Sequence, residues 1–229
     1  MSIENENLHA AELRAASRLY GSFAALRQVT AEFRAGLCYV ITGENGAGKS
    51  TLLRLLAGLI RPSVGTVSVL GGEPQEQRAL IGYMGHASML YDELSARENL
   101  AYYGKLYQPP GSCTECARLD ETLRAVGLDP ALTKPVEQYS QGMKQRVSLA
   151  RVLLGDPHLL LLDEPFANLD AASSAQMIAL LQQFKTWPLP QGAKRTIILT
   201  THQPELAKNL ADVYVRMQAA RILNTEKAG

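Results

Sequence analysis

An α/β fold is predicted for this 229-residue chain, with an antiparallel β-subdomain at its start and an all-helical insertion in its middle. Three observations predict it. Short apolar runs of strand character at residues 37–42, 81–84, 159–163 and 196–200 alternate with helix-period segments, the rhythm of a parallel sheet wrapped by helices. The first forty residues instead alternate weakly around a turn signal, as hairpin strands do. The interval from Ala96 to Val126 is filled by helix-forming sequence with no strand in it.

The elements follow in order. Residues 8–19 and 25–33 flank Gly21 and Ser22 and read as antiparallel strands. LCYVIT, at 37–42, is a buried-type strand that leads into GENGAGKST at 43–51. TLLRLLAGLI, at 51–60, carries leucines at helical spacing, with Gly58 near its end. Pro62 and Gly65 punctuate, GTVSVLGG reads as a strand and turn, and IGYM at 81–84 as another strand. Ser95 and Glu98 form a capping box that opens a helix through about Tyr107, and QPPGSC then breaks the chain. A second helix runs over 114–126 and ends at Gly127, a left-handed C-cap, with Pro130 and Pro135 closing the segment. The α/β rhythm resumes at Ser140 with a helix to about Leu154, the strand LLLLD from Leu159, a helix over 171–185 and the strand TIILT from Thr196. PLPQGAK, at 188–194, is a short loop, and there is no internal repeat.

Composition excludes several classes. At 46% hydrophobic residues the chain can own one large core. A net charge of +1 gives no basic field of the kind that drives nucleic-acid binding, so no nucleic-acid partner is expected. MSIENENLHA lacks a positive n-region followed by an apolar core, and no apolar run approaches the roughly 18–20 residues that span a bilayer, so a soluble chain that stays where it is made is expected. Three cysteines, Cys38, Cys113 and Cys116, are an odd count in a domain that needs no staples, which fits a reducing compartment. Cys113 and Cys116 make a lone C-x-x-C without a thioredoxin-like or zinc-site context, and the four histidines show no close metal-ligand spacing.

The chemistry sits in ordered motifs. The glycines of GENGAGKST let successive backbone N–H groups turn inward around phosphates, and the following helix N-terminus adds its partial positive charge. Lys49 is placed to reach β- and γ-phosphates and Ser50 to ligate Mg²⁺. LLLLDE ends a strand in adjacent carboxylates that point to opposite sides, so Asp163 can hold the metal through water while Glu164 polarises an attacking water. YSQGMKQR, at 139–146, places Ser140 at a helix N-cap beside Gln141 and Gly142, a helix end able to face an anion.

With GENGAGKST, YSQGM, LLLLDEP, the ANLD that ends at Asp170, and His202 after TIILTT, the chain resembles the ATP-binding subunit of an ABC transporter over nearly its whole length. The resemblance implies a P-loop NTPase core of the ABC ATPase type: residues 1–85 and 150–229 as core with the antiparallel β-subdomain, and about 86–149 as the helical subdomain. It implies ATP and Mg²⁺ as cofactors, with Gly43, Glu44, Asn45, Gly46, Ala47, Gly48, Lys49, Ser50 and Thr51 as the phosphate loop. Ser140 and Gly142 would meet the γ-phosphate of ATP on an opposite subunit in a head-to-tail dimer, and Asp170 would sit at the dimer seam. His202 would contact the γ-phosphate and orient Glu164's water, and Tyr20 would stack on adenine, with Phe23 the competing choice. A separate integral membrane permease is implied, docking around residues 86–91 and the following helix, where Met89, Leu90, Tyr91, Tyr102 and Tyr103 offer either apolar contacts or subdomain core. The cassette would then lie on the cytoplasmic face of the membrane through that permease.

Two departures stand out. His86 occupies a position where the family has a glutamine that ligates Mg²⁺ and water, and the signature carries Gln141 for glycine and Met143 for glutamine. At finer grain, IGYMGH with that histidine, DEPF and ILTTHQPE look most like the cytochrome c maturation subfamily, whose cassette works in haem delivery. Related histidine-bearing cassettes accompany permeases for drugs and other compounds.

Overall fold

A computed structural model describes residues 9–107 and 116–228. The QPPGSC break and Cys113 lie outside the described residues, as does the side chain of Cys116. Strand β1, His9–Tyr20, pairs antiparallel with β2, Phe23–Arg34, and on its other edge with β4, Val64–Val69. The β1–β2 hairpin is the predicted N-terminal antiparallel unit, and β4, from beyond the phosphate loop, adds a third strand in the order β2-β1-β4.

The second sheet has six strands in the order β5-β6-β7-β3-β8-β9. Four of its members match the sequence reading: β3 at Cys38–Thr42, β5 at Ile81–Met84, β6 at Leu159–Asp163 and β7 at Thr196–Thr200, all parallel. The remaining pair, β8 at Val213–Gln218 and β9 at Arg221–Lys227, is absent from that reading. β8 extends the parallel set beside β3, and β9 closes the edge antiparallel to it.

Alternation along the strands divides the apolar side chains between two faces. Tyr39, Ile41, Leu159, Leu161, Ile198, Val215 and Met217 pack under helix α1, Lys49–Leu56, and against Leu13, Leu26 and Phe33 of the hairpin. Cys38, Val40, Leu160, Leu162, Ile197 and Leu199 face the opposite way. They meet α4, Gln141–Leu153, and α5, Ala171–Thr186, and the same cluster continues into Leu100 of α2, Ala96–Tyr107, and Leu119 and Leu123 of α3, Cys116–Ala125. Cover on both faces explains why β3, β6 and β7, at the centre of the sheet, read as unbroken apolar runs.

The helix signals hold. Ser95 donates its amide to Glu98 Oε2 at 2.8 Å and Glu98 returns its amide to Ser95 Oγ at 3.3 Å, both bonds of the capping box. Bonds from the Ser95 hydroxyl and amide hold the Glu98 carboxyl below its usual range. α3 stops two residues before Gly127, which has φ of 70°. Ser140 caps α4 by accepting Met143's amide at 3.2 Å, and Asp170 caps α5 by accepting Ser173's at 2.7 Å.

Candidate active site

The phosphate loop joins the end of β3 to the start of α1, and two neighbouring backbones hold its shape. At Gly43, with φ of 146°, a side chain would collide with the Met217 carbonyl on β8 at 2.2 Å. At Gly48, with φ of 99°, it would meet the Ala25 carbonyl on β2 at 2.6 Å. The loop is therefore clamped between the hairpin and a strand that the sequence reading leaves out, and only glycine fits at either contact. Buried Lys49 folds its ammonium back to donate to the Gly43 carbonyl at 2.7 Å and the Glu44 carbonyl at 3.2 Å. Gly48 is the N-cap of α1 and offers no side-chain acceptor, so the helix's first amides remain directed into the loop.

Parallel neighbours bring the other groups to the same sheet end. Asp163, buried at the end of β6, accepts the Ser50 hydroxyl at 3.0 Å and the Thr200 hydroxyl at 2.7 Å. Glu164 lies one residue on, with a left-handed backbone at φ of 54°. That turn carries its carboxylate to His202, where Oε2 lies 2.9 Å from Nδ1 and accepts the His202 backbone amide at 3.2 Å. With Glu164 ionised the carboxylate only accepts, so the Nδ1–H tautomer of His202 is the one that bonds it.

These groups surround a cavity of about 700 Å³ lined by Phe23, the phosphate loop, His86, Glu164, Asn168 and His202 among others. Gly43, Glu44, Asn45, Gly46, Gly48, Lys49, Ser50 and Thr51 all reach it, whereas Ala47 faces the core and Asp163 sits behind Ser50. Of the two aromatic candidates it is Phe23, not Tyr20, that lines the cavity. The Arg18 guanidinium stacks on the exposed Tyr20 ring at 4.6 Å, and Phe23, the partner of Tyr20 across the hairpin, lines the cavity. Ser140, Gly142 and Asp170 lie outside this cavity, and Gly142 packs on the helix that Asp170 caps: a side chain at Gly142 would strike Ser173 Oγ, in the first turn of α5, at 2.4 Å.

Three further residues brace the helical segment, and one of them, Gln145 near the end of the YSQGMKQR motif, ties it to the site. Buried Gln145 of α4 donates to the Pro165 carbonyl at 3.1 Å, next to Glu164. Ser148 donates to the Ser88 carbonyl at 3.0 Å, beside His86. Fully buried Asn99 bonds the Tyr91 amide at 2.8 Å and the Tyr91 carbonyl at 3.0 Å, and pins the loop before α2 from beneath. Above it, Tyr91, Tyr102 and Tyr103 form an aromatic cluster, with Tyr91 and Tyr102 edge-on at 4.9 Å and Met89 exposed nearby. No described helix is long and apolar enough to cross a membrane.

The geometry agrees with the comparisons to known proteins. The ABC transporter family profile matches residues 26–167. The chain is 34% identical over 204 residues to the ABC transporter ATP-binding protein NatA of Bacillus subtilis (strain 168), covering 87% of this chain and 80% of that one. It is 34% identical to the Nod factor export ATP-binding protein I of Neorhizobium galegae, covering 93% of this chain but only 61% of that one. It is also 34% identical to the daunorubicin resistance ATP-binding protein DrrA3 of Streptomyces coeruleorubidus, over 91% of this chain and 65% of the other. Among solved structures, cbiO1 of Clostridium perfringens, part of the transporter complex cbiONQ, superposes with a TM-score of 0.82 at 25% identity, over 96% of this chain and 89% of that one. The chain belongs to the ABC transporter family, and it is an ATP-binding cassette, an ATPase.

Proposed function

We propose that the 700 Å³ cavity binds ATP with Mg²⁺ and that hydrolysis there drives a separate membrane permease of the exporter class. One observation carries the reading: Glu164, braced by His202, shares a cavity with Lys49 and Ser50. Lys49 exchanges its two carbonyl acceptors for β- and γ-phosphate oxygens, a charge-assisted contact in place of neutral ones. The α1 amides take the remaining phosphate charge. Glu164 accepts the proton of the attacking water, and His202 holds that carboxylate through its Nδ1–H. Phe23 stacks on the base at the cavity mouth.

The donor set fits a hard cation. Ser50 gives its hydroxyl proton to Asp163, which turns the oxygen lone pairs outward, and Asp163 keeps a second carboxylate oxygen for metal-bound water. His86, at the cavity wall, is a further candidate for that water. When bound, Mg²⁺ neutralises charge developing on the phosphate oxygens.

Ser140, Gly142 and Asp170 act in this reading on ATP held by a second copy of the chain, and their position outside the chain's own cavity supports it. The arm at about 86–149 moves against the core formed by 1–85 and 150–229, and Met89, Tyr91 and Tyr102 form the permease contact at the inner membrane face. Nod factor export and daunorubicin resistance in the names of relatives support the export class, and sulfate/thiosulfate import in the name of another, 37% identical, makes the direction of transport part of the test. Co-purification tests the assignment. A multi-span membrane protein as the tight partner is expected, and a soluble assembly in its place would reject it. Haem export is a finer reading that rests on His86 and its neighbouring motifs in the sequence alone. It requires that deleting the gene lower covalently haem-loaded c-type cytochromes and leave b-type haem proteins intact. Normal c-type haem staining in a deletion strain with no redundant cassette would leave the general exporter reading.

A further inference from the structure

We propose that Thr200 is a positioning residue that sets both carboxylates of the hydrolytic site at once. This deepens the ATPase reading and rests on it. Thr200 ends β7 opposite Asp163 in the parallel register and is fully buried. Its hydroxyl donates to Asp163 Oδ1 at 2.7 Å, and the same oxygen accepts the Glu164 amide at 3.0 Å. The Glu164 amide also reaches the Thr200 carbonyl at 3.2 Å. One hydroxyl thus uses its single proton on the first carboxylate and a lone pair on the backbone of the second.

The consequences differ at the two ends. At Asp163, the Thr200 and Ser50 hydroxyls both load Oδ1, which fixes the carboxylate's rotation and leaves Oδ2 for the metal's water. At Glu164, the backbone is held at φ of 54°, a conformation disfavoured for any side-chain-bearing residue. The amide bond to Thr200 opposes relaxation toward an ordinary extended turn, which would swing the carboxylate off His202. Neither effect involves contact between Thr200 and substrate.

The experiment compares purified full-length wild type with Thr200→Val, Thr200→Ser and Thr200→Ala. Valine matches the shape of threonine and removes the hydroxyl, and serine restores it. For Thr200→Val, kcat should fall about 10- to 100-fold, the range for bonds to charged groups, while KM for ATP stays within about threefold. The Mg²⁺ concentration for half-maximal rate should rise at least about threefold. Thr200→Ser should stay within about threefold of wild type in kcat and in Mg²⁺ dependence. Thr200→Ala should repeat the valine result, and it supplies the reading if valine's second methyl prevents folding against the Asp163 carboxylate. Folded valine or alanine variants with wild-type kcat would overturn the role. So would a serine variant as impaired as valine, since the loss would then follow packing and not the hydroxyl. An inactive wild type would overturn the ATPase itself, whereas an active wild type beside an unimpaired Thr200→Val variant overturns only the part given to Thr200.

Discussion

The sheet-end site and the α2 surface are built on opposite plans. At the site, each reacting side chain is already held from within the chain: Lys49 by carbonyls, Asp163 by two hydroxyls, and Glu164 by His202. At the α2 surface the bonds run downward from buried Asn99, while the upper faces of Tyr91, Tyr102 and Met89 are left to solvent. The difference teaches where specificity resides. Preset geometry suits a reaction that every cassette of this kind performs. An exposed aromatic and methionine surface suits contact with a partner that differs from one system to the next.

The deepest break in that comparison comes from Lys49→Ala. ATP binding should be lost and turnover fall below about 1% of the parent, because a cation aimed at the phosphates disappears. Near-parental hydrolysis would show that the site is not organised around Lys49. Glu164→Gln is next: hydrolysis slows at least about 10²-fold while nucleotide still binds. Sizing chromatography in ATP should then show a trapped dimer, and a monomer even with permease present would remove the second copy from the reading. Tyr102→Ala sharpens the contrast from the other side, with affinity for the permease expected to fall about 10-fold in a pull-down titration. If ATP affinity of the isolated chain fell equally, the two regions would not be separable. The smallest effect is Ser95→Ala, which removes the N-cap hydroxyl and should cost about 1 kcal/mol. Thermal unfolding should show a midpoint about 2–4 °C lower.

Local chemistry explains what the sequence discloses. GENGAGKST, the Ser95–Glu98 box and the cap at Ser140 each encode a backbone conformation within a few residues, and each element starts where those residues place it. Strands β8 and β9 are different, since their short runs lack a motif or cap of their own. The alternation of Val213, Val215 and Met217 is legible in retrospect, because those residues are buried between exposed or half-buried neighbours. That Phe23 and not Tyr20 lines the cavity depends on how the hairpin sits against the phosphate loop, and Thr200's bonds depend on a cross-strand register, so neither is a local property. Glu164's left-handed backbone is likewise imposed by β7, since glutamate itself has no preference for it.

The bond from Gln145 to the Pro165 carbonyl has a thermodynamic reading. It runs from the helix that begins at the signature residues to the residue after Glu164, so a tilt of α4 must carry Pro165 along or break the bond. If the proposed permease contact moves α4, a binding event at either end is felt at the other, and linkage makes that influence symmetric. Whatever factor nucleotide applies to permease affinity, permease applies to nucleotide affinity, a coupling typically of about 5- to 150-fold. Substituting Gln145 should lower that factor in both directions at once, so one measurement from either end reports the other.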